Sequence, residues 1–316
     1  MHPAFSVIFF TTASGAGYGM LVWLGLLLPL HRLPATPWFG VPALLIALGL
    51  ATAGLLSSTF HLGHPERAWR AFSQWRTSWL SREGVAAVVT YVPAGLLGLV
   101  WLFGDPNGVA GAVLGPLAAA CALATVYCTA MIYASLKPVR QWHNAFVAPL
   151  YLLFALYSGA GLVAALVAPF SASLALAPAL AAMAFGAVAA ATKFAYWRHI
   201  DADHGGPTTA DATGLASYGT VRPLEAPHTE ENYLLKEMGF RIGRKHAAKL
   251  RVIAVALAFA APIALFALAA VAGGGLRLAA LAPAALIVPA GLLFERWLFF
   301  AEAKHSVMLY YGSTVR

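Results

Sequence analysis

The chain has 316 residues, of which 60% are hydrophobic and only 10% charged, with a formal net charge of +8. Soluble domains run near about 25% charged residues, so a chain this poor in charge cannot cover a water-facing surface, and a soluble fold is excluded. Its basic residues lie in short stretches between apolar segments, so the positive charge reads as membrane topology rather than nucleic-acid binding.

A membrane-spanning helix needs roughly 20 apolar residues. The first such segment covers 5–29 and follows Met1-His2-Pro3-Ala4 without a basic leader, so it is expected to be an uncleaved first helix. Gly15, Gly17 and Gly19 on it allow close helix approach, or form one wall of a ligand channel. Pro34 and Pro37 precede a second segment, 38–60, and a connection over 61–83 leads to a third, 84–104. Asp105-Pro106-Asn107-Gly108 breaks the chain before 110–134, and Lys137-Pro138 before 145–168. The sixth segment is 173–195, a connection over 196–249 follows, and 250–271 and 276–300 flank Gly273-Gly274-Gly275. The expected fold is all-α: a polytopic membrane protein with about eight transmembrane helices in one bundle, residues 1–316 forming a single domain.

Sorting the connections by side places 18 of the 20 lysines and arginines on the face that carries both termini and the two long connections. Lys and Arg mark the cytoplasmic face, so both termini are expected there, in the cytoplasmic (inner) membrane. Extramembrane mass on one face suits a docked partner, with Arg70, Arg76, Arg241, Arg244 and Lys245 as the docking cations. Thr229 reads as the N-cap of a helix that leads to the last three of these.

No segment carries a charged residue near its middle, which argues against a proton pump or ion-coupled transporter. The ten histidines fall at segment ends or in connections, so no haem b is expected. Cys121 and Cys128 share one segment without a CxxC pattern, so no iron–sulfur cluster is expected and both read as small buried hydrophobes. Asp201, Asp203 and His204 are too loosely spaced to read as a metal site.

The 61–83 connection carries two patterns. Trp69, Phe72, Trp75 and Trp79 recur every three or four residues, one face of a short helix lying in the headgroup layer. His61, His64, Glu66, Arg67, Arg82 and Glu83 bunch at the ends of the second and third helices. Such a cluster can hydrogen-bond a quinone carbonyl and relay protons, or it can be a set of interfacial salt bridges. Trp142 and His143 open the fifth helix on the same side and border that region.

These residues also carry a resemblance. The patterns H-L-G-x-P-x-R-A at His61–Ala68 and L-S-x-E at Leu80–Glu83 resemble those of the membrane-anchor subunits of the dimethyl sulfoxide reductase family of molybdenum enzymes. The start Met1–Ser6, the Gly15–Gly19 stretch, and Pro227-His228-Thr229 through Asn232-Tyr233-Leu234 to Arg244-Lys245-His246-Ala247 are similar too.

The resemblance implies a haem-free anchor with a quinone or quinol site. It implies two partners, a ferredoxin-like iron–sulfur subunit and a molybdopterin catalytic subunit, so the molybdenum chemistry itself lies outside this chain. The family's quinone-site histidine and glutamate map to His61 and Glu83, and its arginine to Arg67. His64 occupies a position that varies in the family, and His2 is a further supporting residue. Anchors of sulfite dehydrogenases belong to the same family, and their catalytic subunits face the cytoplasm, as the charge count places the large connections here. The expected reaction is therefore sulfite:quinone oxidoreduction. The alternatives are a dimethyl sulfoxide reductase anchor oxidising menaquinol, a transporter without a redox role, and a passive tether.

Overall fold

The computed structural model describes residues 5–62, 64–203, 208–222, 224–225 and 246–311. Eight long helices account for the eight apolar segments: α1 Phe5–Leu27, α2 Pro37–Ser57, α3 Trp79–Phe103, α4 Val109–Ala134, α5 Val147–Val167, α6 Leu176–Ala202, α7 Ala247–Val271 and α8 Gly274–Ala301. Each is long and apolar enough to cross a bilayer. No strand occurs among the described residues.

Two helices extend further than hydropathy suggests. Helix α3 begins at Trp79 rather than 84, because Ser78 caps it by accepting the Ser81 N–H. Glu83 is thereby inside the helix. Helix α6 runs to Ala202 rather than 195, so Lys193 lies well within it, fully buried, and is not one of the loop cations. Glu83 and Lys193 both find partners inside the bundle, where hydropathy alone counts them as boundary residues.

Helix α1 is the central element, flanked by α2, α4, α5 and α8. Its run Thr11-Thr12-Ala13-Ser14-Gly15-Ala16-Gly17 is made of small residues that let backbones approach closely in the absence of a hydrophobic drive between helices in lipid. A Cβ placed on Gly19 would lie 1.8 Å from the Ala155 carbonyl oxygen of α5, and one on Gly17 2.4 Å from the Ala47 carbonyl oxygen of α2. Gly15 differs, since a Cβ there meets nothing within 4 Å. The three glycines thus divide between packing and open space. Gly19→Val is expected to separate α1 from α5 and to lower the yield of folded protein sharply, and size-exclusion chromatography of the membrane-extracted variant checks this.

Helix α7 contains a π-helical turn, Val255–Ala260. Pro262 follows, and a proline has no N–H to offer the carbonyl four residues earlier, that of Ala258. The Tyr157 hydroxyl of α5 donates to the Ala258 carbonyl at 2.8 Å and satisfies it. A side chain from a neighbouring helix thereby repairs the break, as irregular backbone at membrane depth requires.

At the other end of the bundle, Arg277 in the first turn of α8 donates to the Ala269 carbonyl at 2.9 Å and the Ala172 carbonyl at 2.6 Å. It ties the α5–α6 connection to the last turn of α7.

Candidate functional site

The connection between α2 and α3 folds as two 3₁₀ helices, Ser58–His61 and Pro65–Gln74. Three residues per turn align Trp69, Phe72 and Trp75 on one face. All three are exposed, with the Arg70 and Arg76 guanidinium groups 5.7 and 5.5 Å from the Trp69 and Trp75 ring centres. The aromatic face is built on a 3₁₀ rather than an α-helical repeat, and Trp79, expected on the same face, instead begins α3. Arg82 fastens it to α3 by donating to the Trp75 and Arg76 carbonyls at 3.0 and 2.6 Å, with its guanidinium 4.3 Å from the Trp79 ring centre.

The His64–Glu83 cluster separates into two parts. His64 Nδ1 lies 3.0 Å from Glu66 Oε1, and Arg67 Nε 3.6 Å from the same oxygen, all three side chains exposed. Among the described residues no ion pair joins them to Glu83. Glu83 is instead 4% exposed and turns into the bundle, where its carboxylate accepts a short hydrogen bond from the Thr129 hydroxyl of α4. His61 ends the first 3₁₀ helix, but its side chain lies outside the described residues. His2, Arg241, Arg244, Lys245, His204 and the Thr229 N-cap also lie outside them.

Thr129 and Arg296 line a narrow cleft between α1, α4, α5 and α8 whose enclosed volume is about 20 Å³, room for a single water. Gly15, Thr11 and Ser14 of α1 and Tyr151, Phe154 and Ser158 of α5 complete much of its wall. Three of these hydroxyls are directed to their own helix backbone: Thr11 to Val7, Ser14 to Phe10 at 2.6 Å and Ser158 to Phe154 at 2.7 Å.

Behind the cleft lies a charge cluster that sequence reading misses. Glu295 of α8 is fully buried, with Oε1 2.5 Å from Lys193 Nζ of α6 and Oε2 accepting from Arg296 Nε at 2.6 Å. The Arg296 guanidinium stacks over Tyr151, Phe154 and Phe299 at 4.4, 4.9 and 4.8 Å. Its Nη1 and Nη2 are buried without a hydrogen bond of normal geometry, the Tyr151 hydroxyl lying alongside. Glu295 thus bridges two cations, and Lys193 also feels the Glu302 carboxylate at the end of α8. The signal is present in the adjacent pair Glu295-Arg296 inside an apolar run, and in Lys193 flanked by apolar residues. Sorting charges by membrane face treats both basic residues as topology markers.

A second polar layer closes the same end of the bundle. Arg251 donates to Glu302 at 2.6 Å and to both oxygens of Asp201 at 2.6 and 2.8 Å. Burial pushes the Glu302 carboxyl above its ordinary range. Arg140 grips Asp203 with two bonds of 2.7 and 2.6 Å, which holds its guanidinium further above its usual value. Asp201 and Asp203 are therefore each bound to an arginine, and the described residues contain no group of three His, Cys, Asp or Glu side chains that could hold a metal ion. Trp142 is buried and donates to the Phe299 carbonyl at 3.1 Å, whereas His143 is exposed with Nδ1 2.6 Å from the Ala134 carbonyl oxygen. Cys121 and Cys128 are free, half-buried thiols on α4.

Eight apolar helices among the described residues, with the small-residue α1 at their centre and a polar cleft between them, define a multi-pass membrane protein. The chain belongs to the DMSO reductase anchor subunit family, whose model matches residues 1–312. It is a membrane anchor subunit of that type. It is 35% identical to a sulfite dehydrogenase subunit of Allochromatium vinosum over 99% of both chains. A shorter match, 29% identical over 37% of this chain and 41% of the other, relates it to the anaerobic dimethyl sulfoxide reductase chain YnfH of Escherichia coli.

Proposed function

We propose that this chain is the haem-free anchor of a molybdopterin oxidoreductase complex, and that it binds quinone and exchanges electrons with an iron–sulfur subunit docked on its basic face. The observation that carries the reading is the buried Glu83 carboxylate, held by Thr129 at the edge of a cleft that also presents Arg296. A quinone supplies two-electron, two-proton redox chemistry, which needs hydrogen-bond donors for its oxygens and a group that exchanges protons. Arg296 offers two terminal nitrogens without a hydrogen bond of normal geometry, and Glu83 is a carboxyl close to the membrane face, so the residues present fit that ligand.

In this reading Glu83 and Thr129 move and hold the proton. His61, at the end of the first 3₁₀ helix, passes it to water, and His64 with Arg67 and Glu66 forms the exposed outer end of the path. His2 supports the same region. Both termini face the cytoplasm, a placement that the charge asymmetry supports. Arg70 and Arg76 flank the aromatic ridge, and with Arg241, Arg244 and Lys245 they dock the iron–sulfur subunit, which a molybdopterin subunit accompanies.

The direction of flow is from sulfite to quinone. The full-length similarity to a sulfite dehydrogenase subunit supports this over sulfoxide reduction, where the similarity covers a minority of the chain. The test is to purify tagged protein in mild detergent and assay what accompanies it. The proposal expects a molybdenum subunit, an iron–sulfur subunit and sulfite-dependent quinone reduction. Quinol-dependent sulfoxide reduction instead would reverse the direction. Purification of the chain alone, with solute transport after reconstitution, would refute it.

A further inference from the structure

We infer that the open groove between the α4–α5 connection and the end of α6 seats the phosphate of an anionic phospholipid, with Lys137, Arg140, His143 and His199 around it. The groove lies apart from Glu83 and its cleft, and its occupant does not depend on whether the chain binds quinone.

The α4–α5 connection is built as a platform for these side chains. Val139, Gln141 and Trp142 are buried, whereas Lys137, Arg140 and His143, spaced three apart, are exposed. The inward residues are pinned. Trp142 donates to the Phe299 carbonyl at 3.1 Å, the Gln141 carbonyl accepts from the Tyr196 hydroxyl at 3.1 Å, and Gln141 Oε1 accepts from the Lys304 N–H at 3.0 Å. The Ser306 hydroxyl donates to the Pro138 carbonyl at 2.8 Å. The basic side chains therefore project from a fixed base. Across the groove, the last turn of α6 supplies His199, whose ring centre lies 5.5 Å from that of Phe146. Segments far apart in the chain converge here, so the groove is not a local run of charge.

Charge and size fit a phosphodiester. Asp203 is the one carboxylate among the described residues that line the groove, and Arg140 already grips it through Nε and Nη2. Lys137 forms no ion pair among the described residues, so its ammonium remains to meet the single negative charge of a phosphodiester. His143 donates from Nδ1 to the Ala134 carbonyl at 2.6 Å, which leaves Nε2 for the groove. The volume of about 590 Å³ falls in the range of ligand pockets, roughly 300–1,000 Å³. Position favours a lipid over a soluble anion. Helix α4 ends at Ala134, α5 begins at Val147 and α6 ends at Ala202, so the groove sits where three spans leave the bilayer on one side. Apolar surface adjoins it in the chain: Leu136, next to Lys137, is 40% exposed, and Phe194, earlier on α6, is 47% exposed. Acyl chains gain from that margin, and inorganic phosphate or an acidic peptide does not. Basic pockets between spans at a membrane face bind anionic headgroups in this way.

The experiment strips lipid from the full chain in detergent, together with any subunits that co-purify, and titrates it with phosphatidylglycerol, counting bound lipid by native mass spectrometry. Wild type is expected to hold phosphatidylglycerol about tenfold more tightly than phosphatidylcholine. The double variant Lys137→Gln, His199→Gln removes two exposed groove donors and is expected to weaken phosphatidylglycerol binding about tenfold. Arg198→Gln is the control: it removes an exposed cation beside His199 that does not line the groove, so wild-type affinity is expected. Equal weakening in Arg198→Gln and the double variant would mean diffuse attraction to a basic face and would overturn the site. Equal affinity for phosphatidylcholine, or displacement of the lipid by an equal concentration of inorganic phosphate, would overturn the lipid as occupant. Loss of co-purifying subunits from the double variant with lipid binding unchanged would give the groove to an acidic partner instead.

Discussion

Glu83→Gln is expected to lower sulfite-dependent quinone reduction by about 100-fold or more, with the complex still assembled, because general acid–base groups contribute typically 10²–10⁴-fold. The substitution keeps the size of the side chain and its ability to accept from Thr129, so packing between α3 and α4 survives. What it removes is the carboxyl that exchanges a proton. The measurement is kcat for quinone reduction by the purified complex, with subunit stoichiometry as the control for assembly. Turnover within about threefold of wild type would take Glu83 out of the mechanism and leave it as a helix-pairing residue.

The second large effect is on stability. Glu295→Leu leaves Lys193 and Arg296 buried with no carboxylate between them, and breaking a buried pair from one side costs about 3–5 kcal/mol. Glu295 is the carboxylate that touches both cations at that junction of α6 and α8, and both of its oxygens are engaged. Lys193→Met should be milder, since Arg296 still neutralises Glu295 through the 2.6 Å contact. Thermal unfolding in detergent, followed by circular dichroism, is expected to rank the variants wild type, Lys193→Met, Glu295→Leu from most to least stable. Equal stability of Glu295→Leu and wild type would mean that water, rather than the carboxylate, compensates the two cations.

The eight spans are legible because hydropathy over about 20 residues reports burial in lipid directly. Their ends are less so. Arg82, Glu83 and Lys193 look like boundary residues to a hydropathy window, yet each sits inside a helix. Glu83 finds Thr129 across the α3–α4 contact, and Lys193 finds Glu295 across the α6–α8 contact. These pairings join segments far apart in the chain, and no local pattern encodes them. The same gap explains the site. Proximity in sequence groups His64, Arg67 and Glu83, whereas the fold leaves the first two in an exposed pair network with Glu66 and buries the third. Arg296 counts as a topology cation in the sequence, and only the packing of α8 against α5 shows that its guanidinium faces Tyr151 and the cleft.

Glycine spacing is half legible. The G-x-G-x-G run signals close approach on α1, and Gly17 and Gly19 supply it against α2 and α5. Which glycine faces space rather than backbone depends on where α5 and α8 lie, and that is a tertiary fact.

Whether quinone is held within the helices of this anchor is read by photolabelling the purified complex with an azidoquinone and mapping the labelled peptides by mass spectrometry. Label on peptides of α1, α3 and α4 of this chain, displaced by excess unlabelled quinone, is expected. Label confined to the partner subunits, or label that excess quinone does not displace, would contradict the proposed quinone function.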